Sequence, residues 1–136
     1  MENQKEIKTI KGVLIDIEND SARAIEFENS LRKYYDMLHC DLIDIVSRTI
    51  GNGRERKRFD IVCDDEGTFR TDAKISAIDN LGRAQFVGSL LVVNRGENGE
   101  TVSLTDDECT FVLEHVEKMY TRRHPEGYLM LTQCEC

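Results

Sequence analysis

Phe86-Val87-Gly88-Ser89-Leu90-Leu91-Val92-Val93-Asn94 is the stretch whose reading decides the fold class. Successive side chains of a strand point to opposite faces, so the unbroken apolar run from Leu90 to Val93 needs cover on both sides. It predicts a central strand over residues 86–94. The chain turns next at Gly96-Glu97-Asn98-Gly99, and residues 100–104 are expected to pair briefly. A second strand of this kind lies at residues 7–17, where Ile7, Ile10, Val13, Leu14, Ile15 and Ile17 crowd both faces near the middle. Glu18-Asn19-Asp20-Ser21 is turn chemistry, because short polar side chains bond local backbone and tolerate the left-handed region. Residues 22–27 then alternate, with Ile25 and Phe27 on one side, and complete a β-hairpin. A third strand, residues 42–50, runs into Gly51-Asn52-Gly53, a hairpin signal because Asn and Gly both accept positive φ. Residues 54–63 form its return strand, closed by Asp64-Asp65-Glu66-Gly67. Residues 68–85 carry no clear period; residues 72–78 read as a short helix or an irregular crossover ending at Asn80-Leu81-Gly82.

Two helices complete the pattern. Asn29 or Ser30 can cap the first, since a side-chain oxygen accepts an orphan N–H of the first turn. Leu31, Tyr34, Tyr35 and Leu38 then form an amphipathic stripe at helical spacing near residues 30–38. The second opens on Thr105-Asp106-Asp107-Glu108, a capping box in which Thr105 and Glu108 satisfy each other's backbone donors. Cys109, Val112, Leu113, Val116, Met119 and Tyr120 recur at helical spacing, Arg122 and Arg123 suit the negative helix end, and Pro125 and Gly127 stop it. The expected fold is α+β: a mostly antiparallel sheet of about five or six strands, a short helix near residues 30–38 and a longer C-terminal helix near 105–123. Residues 1–123 make one domain, and residues 124–136 a frayed tail in which Tyr128-Leu129-Met130-Leu131 adds a small element or docks loosely.

Composition narrows the function. The 136 residues carry 18 Lys plus Arg against 26 Asp plus Glu, a net charge of −8, and 40% are hydrophobic, enough for one core. An acidic chain is poorly suited to gripping nucleic acid, which demands excess cations at phosphates. No apolar run approaches the ~18–20 residues that span a bilayer, and Met1-Glu2-Asn3-Gln4-Lys5-Glu6 lacks a secretory apolar region, so a cytoplasmic location is expected. Five cysteines without a secretion signal argue against a disulfide framework. Cys63 and Cys109 read as small core residues. Cys134-Glu135-Cys136 with His124 falls short of the four ligands of a zinc site, so no metal and no cofactor are expected. His39 and Cys40 are neighbours whose side chains point apart, which is not a nucleophile–base pair.

The charge is uneven. Arg54-Glu55-Arg56-Lys57-Arg58 is net +3, which leaves −11 on the rest. Strand alternation would put Arg54, Arg56 and Arg58 on one face, and Gly-rich backbone N–H groups with Arg forks suit phosphate. Gly51, Asn52, Gly53, Arg54, Arg56, Lys57 and Arg58 are therefore the candidate anion-binding residues. The competing reading is ordinary solubilisation of an edge. Asp64-Asp65-Glu66 and Asp106-Asp107-Glu108 are explained by a turn and by helix capping. With no Gly-x-Ser-x-Gly, phosphate loop, dinucleotide fingerprint or His-Glu-x-x-His, no catalytic residue is assigned and a non-enzyme is expected.

Lys11-Gly12-Val13-Leu14-Ile15-Asp16, then Ile25-Glu26-Phe27 with a short helix, Phe59-Asp60-Ile61-Val62-Cys63-Asp64-Asp65-Glu66-Gly67, Gly88-Ser89-Leu90-Leu91-Val92-Val93, and Ser103-Leu104-Thr105 opening a helix form a familiar order. It resembles the domain-of-unknown-function 3846 family over about residues 7–120. The basic hairpin is longer and more charged than that family's pattern, and the stretch after Gly67 lacks its Pro-containing turn. The resemblance implies a small protein of phages, plasmids or conjugative elements of Gram-positive gut bacteria, with no catalytic motif to carry over. It implies a non-catalytic accessory protein that binds a host component in counter-defence. Sequestration of a phosphorylated small molecule, such as a signalling nucleotide, at the basic hairpin is one alternative, and acidic mimicry of DNA against a DNA-binding enzyme is another. The expected partner is a host protein or small phosphorylated ligand, without direct nucleic-acid or membrane binding; Tyr34, Tyr35 or the apolar tail residues could form a homodimer surface.

Overall fold

A computed structural model describes residues 8–66 and 74–136. In chain order the elements are β1 (Thr9–Asp16), β2 (Ser21–Glu28), α1 (Leu31–Leu38), β3 (Ile43–Ile50), β4 (Lys57–Asp64), β5 (Ile75–Ile78) and β6 (Ala84–Val87). There follow β7 (Leu90–Arg95), β8 (Thr101–Val102), α2 (Asp106–Leu113), β9 (Val116–Met119), β10 (Tyr128–Leu131) and β11 (Cys134–Glu135). The strands form two sheets where one was expected. The larger has seven strands in the order β11-β3-β4-β7-β1-β2, with β8 beside β7; the smaller has four, ordered β6-β5-β10-β9. Every pairing is antiparallel except β5 with β10.

The apolar run of β7 lies between β4 and β1, and Leu90, Leu91, Val92 and Val93 are all fully buried. Alternation divides them. Leu90 and Val92 join Val13, Ile15 and Ile61 in a core closed by α2 and the smaller sheet through Val112, Met130 and Leu131. Leu91 and Val93 join Leu14 and Val62 under α1, whose Tyr34 and Leu38 face them. Ser30, rather than Asn29, caps α1, its Oγ accepting the Lys33 N–H at 3.3 Å; the Asn29 side chain instead accepts the Tyr34 hydroxyl. Tyr34 packs edge-on against Phe27, so this ring is core rather than a dimer surface. The Thr105 and Glu108 capping box forms with both of its hydrogen bonds.

Four expectations are corrected. The stretch 86–94 is not one strand: Gly88, at φ +84°, turns the chain so that β6 belongs to the smaller sheet and β7 to the larger. The 72–78 helix or crossover lies partly outside the described residues, and Ile75–Ile78 is a strand paired with β6 across an Asp79-anchored turn. The C-terminal helix stops at Leu113. Its tail tightens as the His115 N–H reaches the Val112 carbonyl, and Val116–Met119 pairs instead with β10. Val116 and Met119 stand three residues apart, a spacing that a helix puts on one face and a strand on opposite faces; both are only partly buried against the core, and pairing with β10 decides for the strand. Residues 124–136 are not a frayed tail: Tyr128, Met130, Leu131 and Cys134 are buried, and β11 pairs with Thr49 and Ile50 of β3.

Close approach at Gly12 allows β1 to sit against β7. A Cβ there would lie 2.7 Å from the Val92 carbonyl oxygen and 3.1 Å from Val93 Cγ1. Gly12→Ala is expected to destabilise the chain by about 1–3 kcal/mol through overpacking, read as a lower urea midpoint with an unchanged slope. A midpoint equal to wild type would show that the two strands separate without strain.

Candidate functional site

The β3–β4 hairpin forms, with Ile50 opposite Lys57 as its last pair. Gly51 takes φ +98° and is buried; its N–H donates to the Gln133 carbonyl at 3.0 Å, and a Cβ would meet the Glu55 carbonyl and the Phe111 ring. Asn52 and Gly53 follow, and residues Gly53–Glu55 make a 3₁₀ turn in which the Glu55 N–H reaches the Asn52 carbonyl at 3.3 Å. The return strand therefore begins at Lys57, not at residue 54, because the loop consumes residues 51–56.

That shift separates the candidate residues. Arg54 and Arg56 are exposed in the loop and share no strand face with Arg58. The Gly51 and Glu55 N–H groups are engaged by carbonyls and contribute nothing to an anion nest. Lys57 points toward α2, its Nζ 5.2 Å from the centre of the Phe111 ring. Arg58 points to the opposite face, as the pleat requires.

On that face the structure assembles a site from three strands. Register puts Ser47 opposite Asp60, Thr49 opposite Arg58, and Asp60 opposite Val93. Beyond the part covered by α1, the face carries Ser47 and Thr49 of β3, Arg58 and Asp60 of β4, and Arg95 of β7. Ser47, Arg58, Asp60 and Arg95 line a cleft of about 240 Å³ together with Phe59 and Asn94. Arg95 Nε donates to Asp60 Oδ2 at 3.0 Å, and Arg58 Nη1 donates to Thr49 Oγ1 at 3.1 Å. The Asp60 side chain is only 6% exposed, whereas that of Arg95 is 53% exposed. A buried carboxylate without a partner is costly, so Asp60 holds one side of the Arg95 guanidinium while the other stays open to solvent. Asp60 and Arg95 were missed as site residues. The readable signal was a carboxylate inside the buried run Phe59-Asp60-Ile61-Val62-Cys63, which demands a cation from elsewhere in the chain.

The two acidic sets are architectural. Asp64 accepts the Glu66 N–H at 2.9 Å in a turn. Asp106 accepts from Lys11 Nζ at 2.6 Å, and that hydrogen bond and charge hold its carboxyl below the usual range; Glu108 completes the cap and receives the Asn94 amide. Among the described residues, no group of three or more His, Cys, Asp or Glu is arranged to hold a metal. His39 meets Glu18 at 3.5 Å. Among the described residues no helix is long and apolar enough to cross a membrane.

These features define a small two-sheet α+β domain with an arginine-flanked polar cleft. The chain belongs to the domain-of-unknown-function family DUF3846, which it matches over residues 10–121. The matched span ends before β10, although β10 and β11 are integral to the fold. No curated protein and no solved structure matches the chain.

The cysteines lie apart from the cleft. Cys63 and Cys109 are core residues as expected, and burial pushes the Cys63 thiol up to about 11. Burial likewise pushes Cys134 up to about 12, so that thiol is packed and not reactive. Cys40 is buried too, and Cys136 is exposed. Iodoacetamide is therefore expected to modify Cys136 alone in the folded protein and all five cysteines after unfolding, counted by intact mass. Rapid native-state labelling of Cys63 or Cys134 would contradict this packing.

Proposed function

We propose that the protein is a non-catalytic binding protein whose cleft between β3, β4 and β7 takes the phosphate end of a small phosphorylated molecule. The observation that carries this reading is the convergence of Arg58 and Arg95, from two different strands, on one cleft beside a buried carboxylate. Guanidinium forks match phosphate oxygens in pairs, and a fork already oriented loses less freedom on binding. Asp60 provides that orientation for Arg95 and Thr49 provides it for Arg58, while the Ser47 hydroxyl adds a neutral donor. The volume of about 240 Å³ is below the ~300–1,000 Å³ that encloses a drug-sized ligand, so the remainder of the ligand stays outside. Arg54 and Arg56 on the neighbouring loop add positive potential without fixed contacts. In an accessory protein of a mobile element, such a cleft would act by withdrawing a phosphorylated host signal.

Calorimetric titration of the whole chain with linear and cyclic nucleoside phosphates tests the reading. At least one ligand is expected to bind, and Arg58→Ala should weaken it roughly ten- to hundredfold, the effect of ~1.5–3 kcal/mol for a hydrogen bond to a charged group. Arg58→Lys should recover only part of the loss, because the charge returns without the fork. No binding by any ligand, or affinity unaltered by Arg58→Ala, would overturn the proposal.

A further inference from the structure

We infer that the chain carries a second anion site, at the turn joining β9 to β10, built for a phosphate-type dianion. Thr121 and His124 close this turn: the Thr121 N–H donates to the His124 carbonyl at 3.3 Å, and the His124 N–H donates to the Thr121 carbonyl at 3.2 Å and to Thr121 Oγ1 at 3.0 Å. Arg122 and Arg123 occupy the two corner positions and are exposed. A third cation, Lys74, arrives from the chain entering β5. Its Nζ sits 5.2 Å from the centre of the Tyr128 ring, and that ring is fixed because the Tyr128 hydroxyl donates to the Ile75 carbonyl at 2.7 Å. The His124 ring stands edge-on to Tyr128, with centroids 5.4 Å apart. Lys74, Arg122, Arg123, His124 and Tyr128 thus line one cavity of about 290 Å³.

The charge balance selects the ligand. Lys74, Arg122 and Arg123 are three permanent cations around a small volume, and the exposed Glu126 carboxylate, 3.5 Å from His124 Nδ1, offsets one of them, so positive charge remains in excess. Like charges held together in this way repel, and a compact anion with two charges relieves that repulsion. Two guanidinium forks and one ammonium suit the tetrahedral oxygens of a phosphate group better than a single planar carboxylate. The Tyr128 ring is buried, with Lys74 over one face and the His124 ring perpendicular to it, so the site recognises the phosphate rather than a stacked base. None of its residues lines the Arg58 and Arg95 cleft, so the two sites stand or fall separately.

The test is a titration of the whole ¹⁵N-labelled chain with inorganic phosphate, followed through its amide resonances, with acetate as the comparison anion. Phosphate is expected to give saturating shifts at Thr121, Arg122, Arg123 and His124, at concentrations where acetate gives none. Arg122→Ala with Arg123→Ala should raise the apparent Kd for these shifts at least about tenfold. Both residues are exposed, and undisturbed resonances from the core would verify that the fold is kept. Lys74→Met should weaken the same shifts, whereas Arg58→Ala should leave them as in wild type. Absence of saturating shifts at residues 121–124, equal response to acetate, or persistence in the double variant would overturn the inference.

Discussion

A strand with no solvent side imposes the architecture. Leu90 to Val93 alternate between two separate cores, so β7 cannot persist unless both faces of the large sheet are covered. Burying each such side chain contributes about 1.5–3 kcal/mol before opposing entropy, and four of them match the ~5–15 kcal/mol net stability of a whole domain. One cover is α1. The other combines α2 with the smaller sheet, which needs β9 and β10 from the far end of the chain. The C-terminal residues are thus required by a strand some forty positions earlier, and Gly88 makes both halves possible by passing the chain from one sheet to the other.

The polar cleft is where that cover runs short. An eight-residue helix is about 12 Å long, whereas an eight-residue strand is about 26 Å long. α1 can therefore shield Val62 on β4 but not the whole strand, and the residues beyond it change from Val62 to Asp60 and Arg58. Asp60 sits at the boundary, buried by its neighbours yet charged, and pairing with Arg95 resolves that conflict. The ion pair alone is a structural requirement of the sheet. Arg58, two positions earlier on the same face, adds a second cation held by Thr49, and the proposed binding rests on that addition.

Local signals account for what could be read from the residues. The alternation of β2, the double-sided burial of β1 and β7, the stripe of α1 and the Thr105–Glu108 box all depend on neighbours within a few positions. The failures lie where distant partners decide. Val116 and Met119 keep the helical spacing of the residues before them, and pairing with β10 overrides it. Arg122 and Arg123 look like charges complementing a helix end but stand at the corners of a turn. The basic hairpin was legible as a hairpin, yet a six-residue loop changed its register and dispersed the residues that period two would have aligned. Arg95 carried no local mark, and only the position of Asp60 within a buried run could have pointed to it.

The two proposed sites suit a chain of net −8 to small anions better than to a duplex. A duplex presents one charge per ~1.7 Å along its axis and is bound by a continuous track of cations. The two clefts hold instead separate small groups of cations, each beside a carboxylate of its own, Asp60 in one and Glu126 in the other. Those carboxylates differ in kind: the Asp60 side chain is 6% exposed and held in place, whereas that of Glu126 is 69% exposed. A fixed buried carboxylate orients its arginine and rejects ligands whose oxygens fall on it, which gives selectivity by geometry. An exposed one screens the site only weakly and can turn away toward water when a stronger anion enters. On the proposed readings, the first cleft would discriminate among phosphorylated molecules and the second would accept the phosphate group common to them.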